Sequence, residues 1–255
     1  MNGICANCGT GINGKYCYAC GQKAHIGRLS MHEIFHEIWH GLTHTDKGIL
    51  KLIKDLFLHP KRVYENYFNG QRKNYFSPAL FFLVTAGILV YLYGFVFDYQ
   101  DKIYHTHNEF GRELHHLIKY KALMLLPVEA LLTWLLFRKR FNLAEIITFW
   151  LFCLGFVYTV NIILIPLYFP LIAHKSMIDS IINILSYLII FWHGGMALAN
   201  KKLLSIIAFF ILLNVIFVMD AALQLYMVFG NDLFAADNYT GVNNLWDLVK
   251  AAYSF

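Results

Sequence analysis

Apolar residues run almost unbroken through five stretches of the chain, 77–97, 120–137, 144–169, 178–199 and 203–229, with polar turns or loops between them. A helix needs about 20 mostly apolar residues to cross roughly 30 Å of hydrocarbon, so each stretch predicts a transmembrane helix. The second is the shortest and is interrupted by Pro127 and Glu129. Ahead of them the pattern becomes amphipathic. Met31, Ile34, Phe35, Ile38, Trp39 and Leu42 recur at helical spacing and define one apolar face. Ser30 and Glu33 form a capping box at the start of that helix. A second helix follows Thr45-Asp46, with Ile49, Leu50, Ile53, Leu56 and Phe57 expected on its inner face, and it stops before Pro60. A third runs to Asn69-Gly70, a left-handed C-cap signal. Ser77-Pro78 then opens the first span as N-cap and first-turn proline. Beyond residue 229, Val242, Leu245, Trp246, Leu248 and Val249 predict a short amphipathic helix anchored at an interface by the tryptophan.

Composition agrees with a bilayer as the main solvent. Apolar residues make up 58% and charged residues 15% of the 255, against about 45–50% and about 25% in soluble domains. Charge sets the orientation, because basic residues beside spans stay in the cytoplasm. Residues 1–76 hold ten Lys and Arg, the Arg138-Lys139-Arg140 turn three and Lys201-Lys202 two, while the opposite loops hold six. That alternation predicts the N-terminus inside and the C-terminus outside. No secretory signal is visible at the start, so the first span is expected to act as the insertion signal.

Chemistry concentrates at the N-terminus. Cys5, Cys8, Cys17 and Cys20 form two Cys-x2-Cys knuckles, each followed by a glycine. Four thiolates in a reducing compartment suit zinc, with rubredoxin-like iron the rival occupant. Behind them His32, His36, His40 and His44 line the polar side of the first amphipathic helix and form a candidate second metal site. They include the overlapping matches His32-Glu33-Ile34-Phe35-His36 and His36-Glu37-Ile38-Trp39-His40. In metallopeptidases this spacing places two imidazoles on zinc with the glutamate as general base. No third-ligand motif follows, and a solvated polar face accounts for the spacing equally. His105, His107, His115 and His116 lie across the expected membrane from those histidines and cannot share a centre with them. Within the spans, Glu129, His193 and Asp220 are costly ionisable groups and hence a candidate intramembrane site. Asn161, Asn183, Asn214 and Gln224 add polar atoms, and interhelical hydrogen bonding is the simpler account of them all.

The knuckles followed by Asp46-Lys47-Gly48, Pro60, Tyr67, Gly70, Arg72, Tyr75 and Pro78 resemble an uncharacterised family of bacterial integral membrane proteins, over about the first third of the chain. In that family a glycine often follows the proline matched by Pro60, where this chain has Lys61. The resemblance implies an N-terminal zinc ribbon joined to several spans and supplies no activity.

The expected architecture is thus an all-α polytopic protein of the bacterial inner membrane with about five transmembrane helices. Residues 1–25 form a zinc ribbon, 26–76 cytoplasmic interfacial amphipathic helices, 77–229 the bundle and 230–255 an external amphipathic segment. The first functional expectation is a non-enzymatic cytoplasmic docking or regulatory platform for a protein partner, in contact with lipid and not with nucleic acid. A small-solute or ion transporter using Glu129 and Asp220 is the alternative, and a metallopeptidase using His36, Glu37 and His40 the third.

Overall fold

The computed structural model describes residues 3–24, 26–34, 48–104, 124–199 and 202–229. Strands β1 (Gly3–Ile4) and β2 (Gly11–Ile12) pair antiparallel in the N-terminal knob, with Gly3 opposite Ile12. Helices α1 (Ile49–Leu58) and α2 (Pro60–Phe68) form a hairpin, followed by α3 (Pro78–Tyr104). The shorter apolar helix α4 (Met124–Phe137) precedes α5 (Leu143–Leu164), which runs on as a 3-10 turn over Ile165–Tyr168. A second 3-10 turn, Ile172–His174, leads into α6 (Lys175–Ala197), and α7 spans Leu203–Phe229. Four segments, Pro78–Tyr104, Leu143–Tyr168, Ile172–Ala197 and Leu203–Ala222, are long and apolar enough to cross a membrane. The protein is therefore an all-α membrane protein with a small two-stranded knob. The second expected span, 120–137, is represented by the shorter helix α4; its first residues, 120–123, lie outside the described residues together with residues 105–119 before them, as does the C-terminal segment from 230.

The spine of the bundle is α5, which is buried over most of its length, whereas α3, α6 and α7 turn most of their surface outward. Its most extensive partner is α3. The helices approach closely where side chains are missing. A Cβ on Gly155 of α5 would stand 2.5 Å from the Phe81 ring, and one on Gly194 of α6 would stand 1.9 Å from the Phe209 ring. Both rings are fully buried, so neither has room to retreat. Polar side chains join the helices as well. Trp150 Nε1 donates to Thr133 Oγ1 at 3.1 Å, fastening α4 to α5, and Ser186 Oγ donates to Asn161 Oδ1 at 3.4 Å between α5 and α6. Asn214 Nδ2 donates to the Tyr187 hydroxyl at 2.9 Å, linking α6 to α7. These bonds account for Asn161 and Asn214 as interhelical glue.

The α1–α2 hairpin is packed into one end of this bundle. Val63, Tyr64 and Tyr67, at i, i+1 and i+4 on α2, are buried in the same core as Phe149 and Phe152 of α5. The α2 helix ends as its sequence requires: Gly70 has φ 92°, its N–H bonds to Tyr67 O at 3.2 Å, and the Gln71 N–H bonds to Asn66 O at 2.8 Å. That pair of bonds is a Schellman motif. On α1 the inner face differs from expectation. Leu52 and Leu56 are fully buried, while Leu50 is 77% and Phe57 63% exposed. At 100° per residue the apolar arc of α1 runs about 160°, from Leu52 through Leu56, Ile49 and Ile53 to Phe57 and Leu50. The bundle takes one side of that arc and leaves its far edge facing outward, as suits a helix at a lipid boundary.

Residues 26–34 tie the knob's end of the chain to the same end of the bundle. Arg28 Nε and Nη2 grip the Glu145 carboxylate at 2.9 and 2.8 Å, and Nη2 also donates to Arg140 O at 2.9 Å. Glu145 raises the Arg28 pKa further above its ordinary value. Asn142 Nδ2 donates to Leu29 O at 2.9 Å, and Arg72 donates to Gly27 O at 3.1 Å and pairs with Glu33 at 3.0 Å. The Ser30–Glu33 capping box forms, with the Glu33 N–H donating to Ser30 Oγ at 3.3 Å and the Ser30 N–H to Glu33 Oε2 at 3.1 Å.

Gly194→Val is expected to lower stability by about 1–3 kcal/mol through overpacking against Phe209. Gly87→Ala, where an added Cβ meets nothing within 4 Å, should be neutral or stabilising by up to about 1 kcal/mol. Thermal unfolding in detergent checks the contrast, and equal shifts would contradict the packing. Arg28→Ala strands a nearly buried carboxylate and is expected to cost about 1–3 kcal/mol, toward the lower figure because the Arg28 side chain is largely solvated. The same unfolding measurement decides it, and an unchanged midpoint would show that the pair contributes nothing.

Candidate metal centre at the N-terminal knob

The two knuckles repeat the same backbone pattern. In the first, the Cys5 N–H donates to Thr10 O at 2.8 Å and the Gly9 N–H to Cys5 O at 2.9 Å. In the second, the Cys17 N–H donates to Gln22 O at 2.7 Å and the Gly21 N–H to Cys17 O at 2.8 Å. Each loop closes through a glycine at positive φ, 75° for Gly9 and 73° for Gly21, where a side chain would be strained. The Tyr16–Lys23 bridge closes the second loop as β1–β2 closes the first.

This geometry brings all four sulfurs together. Cys5 Sγ lies 3.6 Å from Cys20 Sγ, Cys8 Sγ lies 3.5 Å from Cys17 Sγ, and every pair is within 4.8 Å. Thiolates on a tetrahedral ion at about 2.3 Å would stand roughly 3.8 Å apart. All four cysteines are free thiols, at separations far longer than a disulfide. The donor set fits a metal ion that favours tetrahedral sulfur, a description that covers zinc and iron. The sulfurs differ electrostatically. Hydrogen bonding from Thr10, side chain first and backbone next, pulls the Cys8 thiol down to about 6. At Cys20 the backbone N–H of Gln22 favours the thiolate, yet burial and the neighbouring sulfurs outweigh it and push the thiol up to about 11. Crowding four thiols into this volume therefore opposes their common ionisation, and a bound cation would reverse that opposition. Cys5 and Cys17 are buried and Cys8 is exposed, so one side of the centre faces water.

The knob sits against the loop that joins α2 to α3. Asn7 Nδ2 donates to Asn74 Oδ1 at 3.2 Å, and the Lys73 N–H donates to the buried Gln22 Oε1 at 3.2 Å. Elsewhere the knob leaves large side chains in the open: Ile4 is 78%, Tyr16 60% and Tyr18 83% exposed.

Among the described residues, no other candidate joins the four cysteines as a metal ligand. His32 occupies the described helical turn at 31–34, while His36, Glu37, His40 and His44 lie outside the described residues, as do His105, His107, His115 and His116. His193 is fully buried, and its Nδ1 pairs with the Tyr64 hydroxyl at 2.8 Å while its ring stacks on Phe156 at 5.2 Å. It therefore joins α2 to the membrane bundle, with contacts to α2, to α5 and to its neighbour Trp192. Glu129 and Asp220 are both half-buried and lie within electrostatic reach of Tyr158 on α5.

Sequence reasoning passed over Arg28, Arg140 and Glu145. One signal was present. Asn142 and Glu145 stand at the spacing of a capping box, and both of its bonds form at 2.8 Å. The pairing of Glu145 with Arg28, 117 residues away, had no local signal.

A family model described as Protein of unknown function (DUF3667) matches residues 46–90, which cover the α1–α2 hairpin and the first half of α3. No curated protein and no solved structure matches the chain.

Proposed function

We propose that the protein is a non-enzymatic docking or regulatory platform in the bacterial inner membrane, with a zinc-built knob presented to the cytoplasm for a protein partner. Five crossings with the N-terminus inside follow from the distribution of lysine and arginine. Zinc suits the four-cysteine centre because it has no redox chemistry and structural sites of this ligand set are closed and tetrahedral.

One observation carries the docking reading. The knob is held on one side by Asn7 and Gln22, while Ile4, Tyr16 and Tyr18 protrude from it. Nothing in the knob's own core requires tyrosines there, since that core consists of Cys5, Ile12 and Cys17 with Cys20 and Ala24 against them. Exposed aromatic side chains on a rigid scaffold bind at low conformational cost, which is why interfaces are enriched in them.

Metal analysis of the purified full chain is expected to give one zinc ion per molecule, lost in Cys17→Ser and kept in His36→Ala. Iron in the wild type would replace zinc in this reading, and a second ion lost with His36 would establish a histidine site. A photo-crosslinking residue placed at Tyr18 in living cells should trap a discrete protein adduct that disappears in the Cys17→Ser background. An adduct that survives loss of the metal centre, or none at all, would remove the docking role.

A further inference from the structure

A cavity of about 550 Å³ opens at the end of the bundle that carries the knob, within the roughly 300–1,000 Å³ range of small-ligand sites. Its wall is built from the last turn of α2, the α4–α5 turn, the start of α5, the last turn of α6 and the linker, with Arg28, Glu65, Phe68, Arg140, Phe141 and Ala197 among the lining residues. The helical parts of this wall are helix ends of the bundle and its hairpin, which is the level where hydrocarbon gives way to water.

The charges in this wall are unequal in what they can still bind. Arg28 is committed to Glu145 through two bonds. Glu65 is paired with Lys61 at 3.4 Å. Arg140 has no carboxylate partner among the described residues. Its Nη1 donates to Leu198 O at 3.0 Å and its guanidinium lies over the Phe141 ring at 5.2 Å, so it is held in place by two neutral contacts. A guanidinium fixed in this way keeps donors for a phosphate, whose oxygens match its planar fork. The other half of the wall, Phe68, Phe141 and Ala197, is apolar and offers nothing to a bare anion.

We propose that this cavity is a binding site for the phosphodiester headgroup of a membrane phospholipid, with Arg140 on the phosphate and the phenylalanines against the glycerol and the first acyl carbons. The site is independent of the metal centre and of the docking role.

The test uses native mass spectrometry of the full chain in neutral maltoside detergent, with phosphatidylglycerol as probe and diacylglycerol as its phosphate-free counterpart. Phosphatidylglycerol should bind and diacylglycerol should not compete with it. Arg140→Gln is expected to weaken binding about tenfold, the loss of a charge-assisted contact, while Lys139→Gln on the same turn, which does not line the cavity, should change it less than about twofold. Ala197→Phe, which fills the cavity and leaves every charge in place, should weaken binding as much as Arg140→Gln and carries the test if that variant does not fold. Equal binding of diacylglycerol, equal losses from Arg140→Gln and Lys139→Gln, or unchanged binding in Ala197→Phe would overturn the site. Displacement of the lipid by equimolar inorganic phosphate would overturn the lipid assignment in favour of a free anion.

Discussion

The seating of the linker behind the knob depends on one carboxylate. Glu145 stands in the first turn of the most buried helix, 5% exposed, where an unpaired charge would be costly. It is satisfied three times over, by Arg28 Nε and Nη2 and by the Asn142 N–H. Two of these bonds come from the linker behind the knob and the third closes the helix cap. The same few atoms thus end the spine helix and hold the N-terminal segment on it. The favourable field at a helix N-terminus adds to this, because an acidic group there meets the positive end of the helix dipole.

From that anchor the α1–α2 hairpin follows as part of the bundle. Tyr64 is surrounded by the rings of Phe68, Phe149 and Phe152 and hydrogen-bonds His193. A tyrosine can be buried this deeply when its hydroxyl has a partner, and the histidine inside α6 supplies one. The matched family segment, 46–90, covers the hairpin and the α3 turns against which α5 packs. What that segment specifies, on this reading, is a way of seating two amphipathic helices on a membrane bundle.

Local signals in the sequence were legible wherever a few adjacent residues decide the outcome. The knuckle spacing, the Ser30–Glu33 box, the helix stop before Pro60, the Asn69-Gly70 stop and the proline start of α3 each appear as their chemistry requires. Long apolar runs were equally plain, because lipid tolerates little else. The misses concern choices that need a partner from elsewhere. The orientation of α1 was misread because an apolar arc of about 160° does not say which edge the bundle will cover. The bond between His193 and Tyr64 joins residues 129 positions apart and had no local signal. The cavity around Arg140 is assembled from the linker, α2, the α4–α5 turn, α5 and α6 and leaves no trace in any one of them.

The two attachments of the knob respond differently to metal. Its apolar core is three small or medium side chains, far below what a domain needs to fold unaided, so an ion held by the four cysteines would supply stability that packing cannot. Asn7 and Gln22 reach the Asn74 side chain and the Lys73 backbone only while the knuckles keep their shape, since Asn7 lies within the first knuckle and the Gln22 carbonyl accepts from the Cys17 N–H to close the second. The linker bonds of Arg28 and Leu29 lie outside that frame and depend on the bundle alone. Loss of metal would therefore release the knob from the α2–α3 loop while leaving its tether fixed at Glu145.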